Sequence, residues 1–178
     1  IMSIREPAVA GAFYEGTESR LIRQIEHAFT GPNGPGSIPK PAKEPISRIV
    51  GLVCPHAGYM YSGATAAHAY SKLAEDGIPE VVVLIGPNHH YYAPAIALAD
   101  DSGWRTPLGV VEVDRDVTKQ IKANLPLAEI NSTVHRMEHS LEVQVPFLQY
   151  IARLAEADFR IVPISVGAIA SVSVDADA

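Results

Sequence analysis

The chain has 178 residues and a mass of 19.1 kDa, of which 47% are hydrophobic and 19% charged. This composition is typical of a globular domain and excludes a disordered or collagen-like chain. With 14 basic and 20 acidic side chains the net charge is −6, so the chain lacks the basic surface that nucleic acids and anionic membranes require. No stretch approaches the roughly 18 apolar residues of a membrane span. We expect a cytoplasmic protein without nucleic-acid or membrane partners.

Cysteine usage limits the kinds of metal site. The single cysteine, Cys54, excludes an internal disulfide and any cage of several cysteines, so a metal would be bound by His, Asp and Glu. Cys54 lies in an apolar run, where a buried and inert thiol is expected rather than a nucleophile.

The first half of the chain contains a predicted βαβ unit. Apolar residues at helical spacing predict a helix over 19–29, and a loop rich in proline and glycine follows over 32–45. The continuous apolar run 46–54 is typical of a strand buried on both faces, and it is followed by a helix over 63–74 and a second buried strand over 80–85. The two strands are expected to be parallel.

The second half continues the alternation of strands and helices. The predicted elements are strands over 95–99 and 109–113, a helix over 115–123, a long helical pattern over 138–157 that is kinked or broken near Pro146, and a closing strand over 160–166. This order predicts an α/β layered fold with a largely parallel central sheet and helices on its faces.

The end of the chain affects the domain prediction. A small, polar tail over 171–178 follows the last predicted strand and offers no helix to cover the sheet edge there. We expect a single domain over 1–178 that is incomplete at its C-terminus. An uncovered edge would favour self-association into a homo-oligomer.

Two predicted strands end in histidines. His56 follows the first strand of the βαβ unit, and His89 and His90 follow the second. Because ligands bind at the carboxyl ends of parallel strands, His56 and His89 should face one cleft, and two converging imidazoles can bind a divalent metal. His90 is a candidate substrate group, since adjacent side chains on an extended backbone diverge. Gly86 is expected to let the backbone approach a ligand closely.

A second polar cluster begins the long helical pattern. If residues 138–142 are helical, Glu138 and Glu142 lie on one face at a spacing of four, with His139 beside them. This arrangement is compatible with a metal-binding helix and equally with a charged helix start that faces solvent. His27 is expected in solvent, and His68 on the helix surface or in its packing.

Five motifs in order resemble those of a known family. They are Pro55-His56-Ala57-Gly58-Tyr59, Ala66-Ala67-His68-Ala69-Tyr70, Gly86-Pro87-Asn88-His89-His90, Arg105-Thr106-Pro107-Leu108-Gly109 and Glu138-His139-Ser140-Leu141-Glu142. Together with the opening residues 7–14, they resemble the Memo family over nearly the whole chain. The resemblance implies the fold of class III extradiol ring-cleavage dioxygenases.

The resemblance also implies a metal-binding cleft. His56 and His89 match two metal ligands of the family, and Glu138 and His139 match a motif that lines the same cleft. His68 matches a recurrent family position. Family members are longer, and the portion missing here supplies a third ligand and a further cleft histidine. Microbial members are associated with a radical-SAM partner system.

Three functions remain open, and so does the question whether the protein is an enzyme. The first is a metal-dependent oxidoreductase of the extradiol type, with His139, Glu138 and His90 as candidate catalytic groups. The second is a non-catalytic protein that binds a metal, a small molecule, a peptide or a partner, and the third is a metal-dependent hydrolase. The cofactor would be iron, copper or zinc.

Aromatic and amide side chains are candidates for ligand binding in this cleft. The proposed ligand-binding residues are Tyr59, Tyr61 and Asn88, with Tyr91, Tyr92 and Trp104 as further candidates for an aromatic rim.

Overall fold

The computed structural model describes residues 3–44, 46, 48–90 and 94–167. In these residues the elements are β1 (Ile4–Arg5), α1 (Glu18–Thr30), α2 (Tyr59–Asp76), β2 (Val81–Pro87), β3 (Ile96–Leu98), β4 (Gly103–Thr106), β5 (Gly109–Val113), α3 (Arg115–Asn124), β6 (Ala128–Ile130), α4 (Val145–Ala155) and β7 (Arg160–Val166). Short 3-10 turns cover Ser132–His135 and Glu142–Gln144. None of the helices in these ranges is long and apolar enough to cross a bilayer.

The sheet is mixed and mostly parallel. β7 pairs along its whole length with β2, in parallel. On its other side β7 pairs with β5 in parallel at its start and with β3 in antiparallel at its end. β4 and β1 extend the sheet beyond β5, and β6 extends it beyond β3. The predicted α/β fold is therefore confirmed.

The closing strand does not form the edge that its place at the end of the pattern suggested. β7 has strand neighbours on both sides, and the edge of the described sheet on this side is β2. The reason is that three earlier parts of the chain pair around β7, as a late strand can be inserted between strands that precede it in sequence.

Helices cover both faces of the sheet. α1, α2 and α4 pack on one face, where Phe147 stacks on Tyr70 with ring centroids 4.9 Å apart and meets Phe29 edge-on. On the opposite face α3 packs on a smaller cluster that includes Val162 and Ile164. The helix predicted over 19–29 is confirmed, because its apolar stripe is buried against α2 and α4.

The predicted strand 46–54 is wrong. These described residues have no regular secondary structure, and Val50 and Val53 are fully exposed. The backbone N–H groups of Arg48 and Ile49 donate to the carboxylate of Asp76 at the end of α2 instead of joining a ladder. The βαβ unit is consequently not formed, although α2 and β2 both exist and β2 is parallel to β7.

The long helix predicted over 138–157 is also wrong at its start. A 3-10 turn covers Glu142–Gln144 and α4 begins at Val145, so Glu138 and Glu142 do not share a helix face. Pro146 lies in the first turn of α4, where its missing N–H costs no hydrogen bond. It therefore helps to start the helix and does not kink one.

The remaining predictions agree with the structure in outline. The strands predicted over 95–99 and 109–113 and the helix over 115–123 correspond to β3, β5 and α3. The short strands β1, β4 and β6 were not predicted, because two to four residues carry too little pattern to be recognised.

Candidate metal centre

Three loops bring three imidazoles together. His56 precedes α2, His89 follows β2, and His139 precedes the turn that leads into α4. The ring centroids of His56 and His89 are 5.3 Å apart, those of His56 and His139 6.0 Å, and those of His89 and His139 4.6 Å. One ring nitrogen from each lies within 4.8 Å of the other two, so the group could hold a metal ion.

The carboxylate of Glu138 accepts hydrogen bonds from two of these histidines, His89 and His139. Its side chain is 1% exposed. One carboxylate oxygen accepts the N–H groups of the His89 ring (Nδ1, 2.9 Å), of the His139 backbone (2.8 Å) and of the Ser140 backbone (2.8 Å). The other oxygen accepts the backbone N–H of His89 at 2.5 Å. Glu138 thus fixes both the backbone and the ring of His89.

The charge state of Glu138 determines the tautomer of His89. Burial alone raises the pKa of this carboxyl, but the hydrogen bonds from His89 and Ser140 outweigh it and lower the pKa to about 2. An ionised carboxylate can only accept, so Nδ1 of His89 carries the proton. In a neutral ring that donates through Nδ1, Nε2 carries the free lone pair, as in the carboxylate–histidine pairs that support metal ligands.

His139 is held in its neutral form. Burial lowers the pKa of its imidazole, the charge of Glu138 opposes this change, and the neighbouring His89 and His56 rings lower the pKa further. The ring also packs on Phe13, with centroids 4.7 Å apart. A neutral ring with a fixed orientation can donate its lone pair to a metal.

Glu142 is a structural residue in this fold. Its buried carboxylate forms an ion pair with Arg5 at 2.7 Å and accepts the Tyr14 hydroxyl at 2.7 Å. It also accepts the backbone N–H groups of Ala8 and Val9. Glu142 therefore anchors the N-terminal segment beneath the histidine group and is not available to a metal.

Arg5 completes the support. Its guanidinium donates to the carbonyls of His135 and Glu138, both at 2.7 Å, and lies 4.4 Å from the ring centroid of Trp104. Residues at the start of the chain thereby fix the segment that carries Glu138 and His139. The sequence offered few signals for this network, since Arg5 and Tyr14 lie far from residue 142 along the chain.

Gly86 lies where two parts of the chain approach each other closely. A Cβ at this position would lie 2.7 Å from the side chain of Leu141 and 3.2 Å from Oγ of Ser140. Glycine is therefore required so that the segment after Glu138 can pack against the end of β2. The close approach is between two parts of the chain, and it brings His89 and His139 together.

A shallow apolar pocket of about 610 Å3 adjoins the histidine group. Phe13, Met60, Tyr61, His56 and His139 contribute to its lining. Tyr61 is 80% exposed, so the pocket opens to solvent. A ligand bound there would have its polar end beside the imidazoles and its apolar part on Phe13 and Met60.

The other residues predicted for the site lie in different surroundings. His90 is exposed, and its backbone N–H donates to the side-chain oxygen of Asn88. Tyr59 lies in the core, where its hydroxyl donates to the carbonyl of Val143 at 2.7 Å and burial raises its pKa. Trp104 is buried as well, and Tyr91 and Tyr92 fall outside the described residues.

The remaining histidines and the cysteine lie elsewhere. His27 and His68 are exposed, and a ring nitrogen of His68 is 3.2 Å from the carbonyl oxygen of Asn33. Cys54 is half-buried, and this burial raises the pKa of its thiol. A raised pKa keeps the thiol protonated at neutral pH and argues against a nucleophile.

The donor set of the site fits a transition metal. Three imidazoles suit zinc, copper and iron alike. The carboxylate of Glu138 is occupied by four N–H groups, so among the described residues it serves the site by orienting His89 and is not a third ligand. His139 takes the place that sequence reasoning had left without a residue.

Comparison with known protein families agrees with this architecture. The family model described as Memo-like protein matches residues 5–176. A MEMO1 family protein of Sulfurisphaera tokodaii is 46% identical over 164 residues, which cover 92% of this chain and 57% of that protein. Similar relatives occur in Methanothermobacter thermautotrophicus (46% identical, 57% of its length) and Aeropyrum pernix (47%, 58%).

The chain spans a little over half the length of these relatives. The match nevertheless covers nearly all of the present sequence, including the loops that carry His56, His89 and His139. The chain therefore belongs to the Memo family.

Proposed function

We propose that this protein binds one divalent transition metal through His56, His89 and His139. The observation that carries the proposal is the convergence of the three imidazoles, one of which has its ligand nitrogen selected by a buried carboxylate. A buried carboxylate that accepts the N–H of one histidine in such a group is typical of metal centres, where it fixes the orientation of the ligand ring.

The chain's own residues would hold and orient the metal and a ligand beside it. Glu138 keeps the proton on Nδ1 of His89, and Phe13 limits the rotation of His139. The adjoining pocket supplies an apolar wall for the organic part of a ligand. The metal would supply Lewis acidity and, with iron or copper, redox chemistry.

We propose a metal-dependent oxidoreductase of the extradiol dioxygenase type as the activity of this centre. The resemblance of the family to those enzymes supports it, as does the apolar pocket, which suits an aromatic substrate. Extradiol cleavage places both atoms of O2 in the opened ring and needs no other reductant. Because His139 is a metal ligand in this proposal, the role of accepting a substrate proton goes to His90, the other candidate histidine on the loop after β2.

Two observations favour the other functions. The occupied carboxylate of Glu138 departs from the usual set of two histidines and one carboxylate in iron oxygenases, which favours non-catalytic metal or ligand binding. A set of three imidazoles is found in zinc enzymes that activate water, which favours a hydrolase. The metal and the assay below distinguish the three.

Metal analysis tests the shared part of the proposal. The protein should be purified without chelator or metal-affinity resin and analysed for iron, copper and zinc, before and after loading. Wild type and the variants His27→Ala and His68→Ala should each bind about one ion. His56→Ala, His89→Ala and His139→Ala should each lose most of it. Equal metal content in all variants, or none in the loaded wild type, would contradict the proposal.

Oxygen uptake tests the activity. Iron-loaded protein should consume O2 in the presence of catechol, and His89→Ala should abolish the uptake while His68→Ala preserves it. Metal binding without uptake would refute the oxidoreductase proposal for catechol and leave the binding function. Ester or amide hydrolysis by the zinc-loaded protein alone would instead support the hydrolase.

A further inference from the structure

Three buried polar side chains outside the histidine group meet near the start of β4. Asp101 precedes β4, Trp104 lies in it, and His135 ends the first 3-10 turn. All three are more than nine-tenths buried. The ring centroids of Trp104 and His135 are 5.7 Å apart. Two hydrogen bonds between Asp100 and Ser132 hold the residue before Asp101 against the same turn.

One polar atom in each of these side chains has no hydrogen-bond partner among the described residues. These atoms are Nε1 of Trp104, Nδ1 of His135 and Oδ2 of Asp101. The second oxygen of Asp101 accepts the Ser3 hydroxyl at 2.9 Å, and Nε2 of His135 lies 3.2 Å from the Ala97 carbonyl oxygen. Buried polar atoms nearly always bond to protein or to water. Three such atoms in one place therefore indicate a bound ligand.

The donors and acceptors at this place define what can bind. The indole N–H of Trp104 can only donate, and a carboxylate oxygen of Asp101 can only accept. Because a carbonyl oxygen accepts, Nε2 of His135 carries the ring proton toward Ala97. Burial lowers the pKa of this ring to about 4, so at neutral pH Nδ1 has a lone pair and accepts. The ligand must therefore accept one hydrogen bond and donate two.

We propose that Asp101, Trp104 and His135 bind one buried water molecule. The water accepts from Nε1 of Trp104 and donates to Nδ1 of His135 and to Oδ2 of Asp101. Three hydrogen bonds are the usual number for an internal water. A metal cation is disfavoured because the indole presents a hydrogen to the site, and an anion is disfavoured because two of the three atoms are acceptors.

The water joins parts of the chain that are distant in sequence. Asp101 belongs to the connection between β3 and β4, and His135 to the turn that precedes Glu138. Arg5 lies over the Trp104 ring and donates to the carbonyls of His135 and Glu138. The water therefore helps to fix the ring on which Arg5 lies and the turn to which it bonds. None of its three ligands is a proposed metal ligand, so this site does not depend on the metal proposal.

Nuclear magnetic resonance detects such a water in solution. Trp104 is the only tryptophan, so its indole N–H gives one resonance in 15N-labelled protein. A water that stays bound while the protein tumbles gives NOE and ROE cross peaks of opposite sign at the water frequency, whereas hydrogen exchange gives peaks of the same sign. We expect opposite signs in wild type and in Ser3→Ala, which excludes a signal relayed by the Ser3 hydroxyl. Peaks of the same sign, or none, would overturn the proposal.

Two histidine variants test the contribution of the ring. His135→Phe replaces the acceptor by a C–H group and enlarges the ring toward the water, so the cross peak should weaken by about fivefold or more. His68→Phe changes an exposed histidine and should leave the cross peak unchanged. Equal intensities in wild type and His135→Phe would overturn the proposal.

A crystal structure of the wild-type protein tests the same site without relying on the folding of a variant. One water should lie about 2.6–3.2 Å from each of the three atoms. A direct hydrogen bond between Nδ1 of His135 and Oδ2 of Asp101 would overturn the proposal, since the ring would then be charged. So would a side chain or a metal ion at this place, or the absence of any density there.

Discussion

Two regions of the molecule meet at the end of β2, and they differ in how far the described residues satisfy their polar groups and bury their apolar side chains. Around the histidine group, the buried charges of Arg5, Glu138 and Glu142 have partners at hydrogen-bond distance. Along the neighbouring edge of β2, apolar side chains such as Val53 and Ile85 are exposed, and no second strand of the described residues pairs with β2 there. β2 thus ends beside a polar network whose charges are paired, and along its length it carries apolar side chains that are exposed.

The difference has a physical origin. An unpaired buried charge costs several kcal/mol and must be satisfied by the chain that buries it. An apolar surface at an edge can remain in contact with water, and burying it against a partner would add to the stability of the assembly. The charges of the polar region are therefore paired within the described residues, whereas the apolar edge keeps its side chains exposed.

The largest expected effect is on the polar side of this comparison. Glu142→Gln leaves the charge of Arg5 buried without its counter-ion and places an amide donor against the backbone N–H of either Ala8 or Val9. We expect a loss of about 3–5 kcal/mol in the free energy of unfolding, measured by urea denaturation. Glu6→Gln removes an exposed ion pair with Arg105 and should cost about 1 kcal/mol or less. An equal loss of unfolding free energy in the two variants would contradict the expected difference between a buried and an exposed ion pair.

The next effect is a loss of folding stability in acid, which we attribute to His135. Burial lowers the pKa of this fully buried imidazole from 6.5 to about 4, its hydrogen bond to the Ala97 carbonyl opposes the change, and Arg5 lowers the pKa further. The unfolded chain therefore binds the proton more readily between these two pKa values. The stability contributed by neutral His135 is present above pH 6.5 and falls by about 3 kcal/mol toward pH 4.

The variant His135→Gln isolates this contribution, since an amide can still donate to the Ala97 carbonyl. Denaturation at several pH values should show a smaller loss of stability in the variant than in wild type between pH 6.5 and 4. Parallel pH profiles for the two proteins would show that His135 is not the group responsible.

A smaller effect is expected on metal affinity. Glu138→Gln removes the charge that selects the His89 tautomer and places an amide donor among four N–H groups. We expect zinc affinity, measured by calorimetry at neutral pH, to fall by about 10- to 100-fold. Glu129→Gln, at an exposed residue of β6, should leave affinity unchanged. An undiminished affinity in Glu138→Gln would show that the carboxylate does not orient the ligand.

The smallest effect is expected on the unfolding free energy, for a substitution at an exposed side chain of β2. Ile85→Ser changes a side chain that this chain leaves in water, so unfolding free energy should shift by about 0.5 kcal/mol or less. Leu84→Ala, on the opposite and buried face of the same strand, should cost about 2–5 kcal/mol. A large loss of unfolding free energy in Ile85→Ser would mean that the Ile85 side chain is buried in this protein.

Sequence reasoning located the candidate metal centre from two predicted strand ends, although the described residues of 46–54 form no strand. The loop after residue 54 delivers His56 to His89 all the same, because Tyr59 N–H bonds to the Phe13 carbonyl and Gln144 bonds to the Pro55 carbonyl. The local motif was therefore more informative than the element assigned to it. The resemblance to the Memo family, carried by the same loops, is confirmed by the family match.

The roles of the two glutamates could not be read from spacing. A separation of four residues indicates a shared face only in a helix, and the chain turns at Ser140 and Leu141 before the helix begins. Glu138 then bonds to a loop 49 residues away, and Glu142 to the start of the chain. Contacts over such separations depend on the assembled fold, which local patterns do not encode.

Anomalous diffraction from crystals of this chain grown with zinc or iron tests whether the three imidazoles bind a metal. We expect one peak bonded to His56, His139 and Nε2 of His89, with bonds of about 2.0–2.2 Å, while Nδ1 of His89 remains hydrogen-bonded to Glu138. A peak at other residues, or one bonded to Nδ1 of His89 with Glu138 displaced, would contradict it.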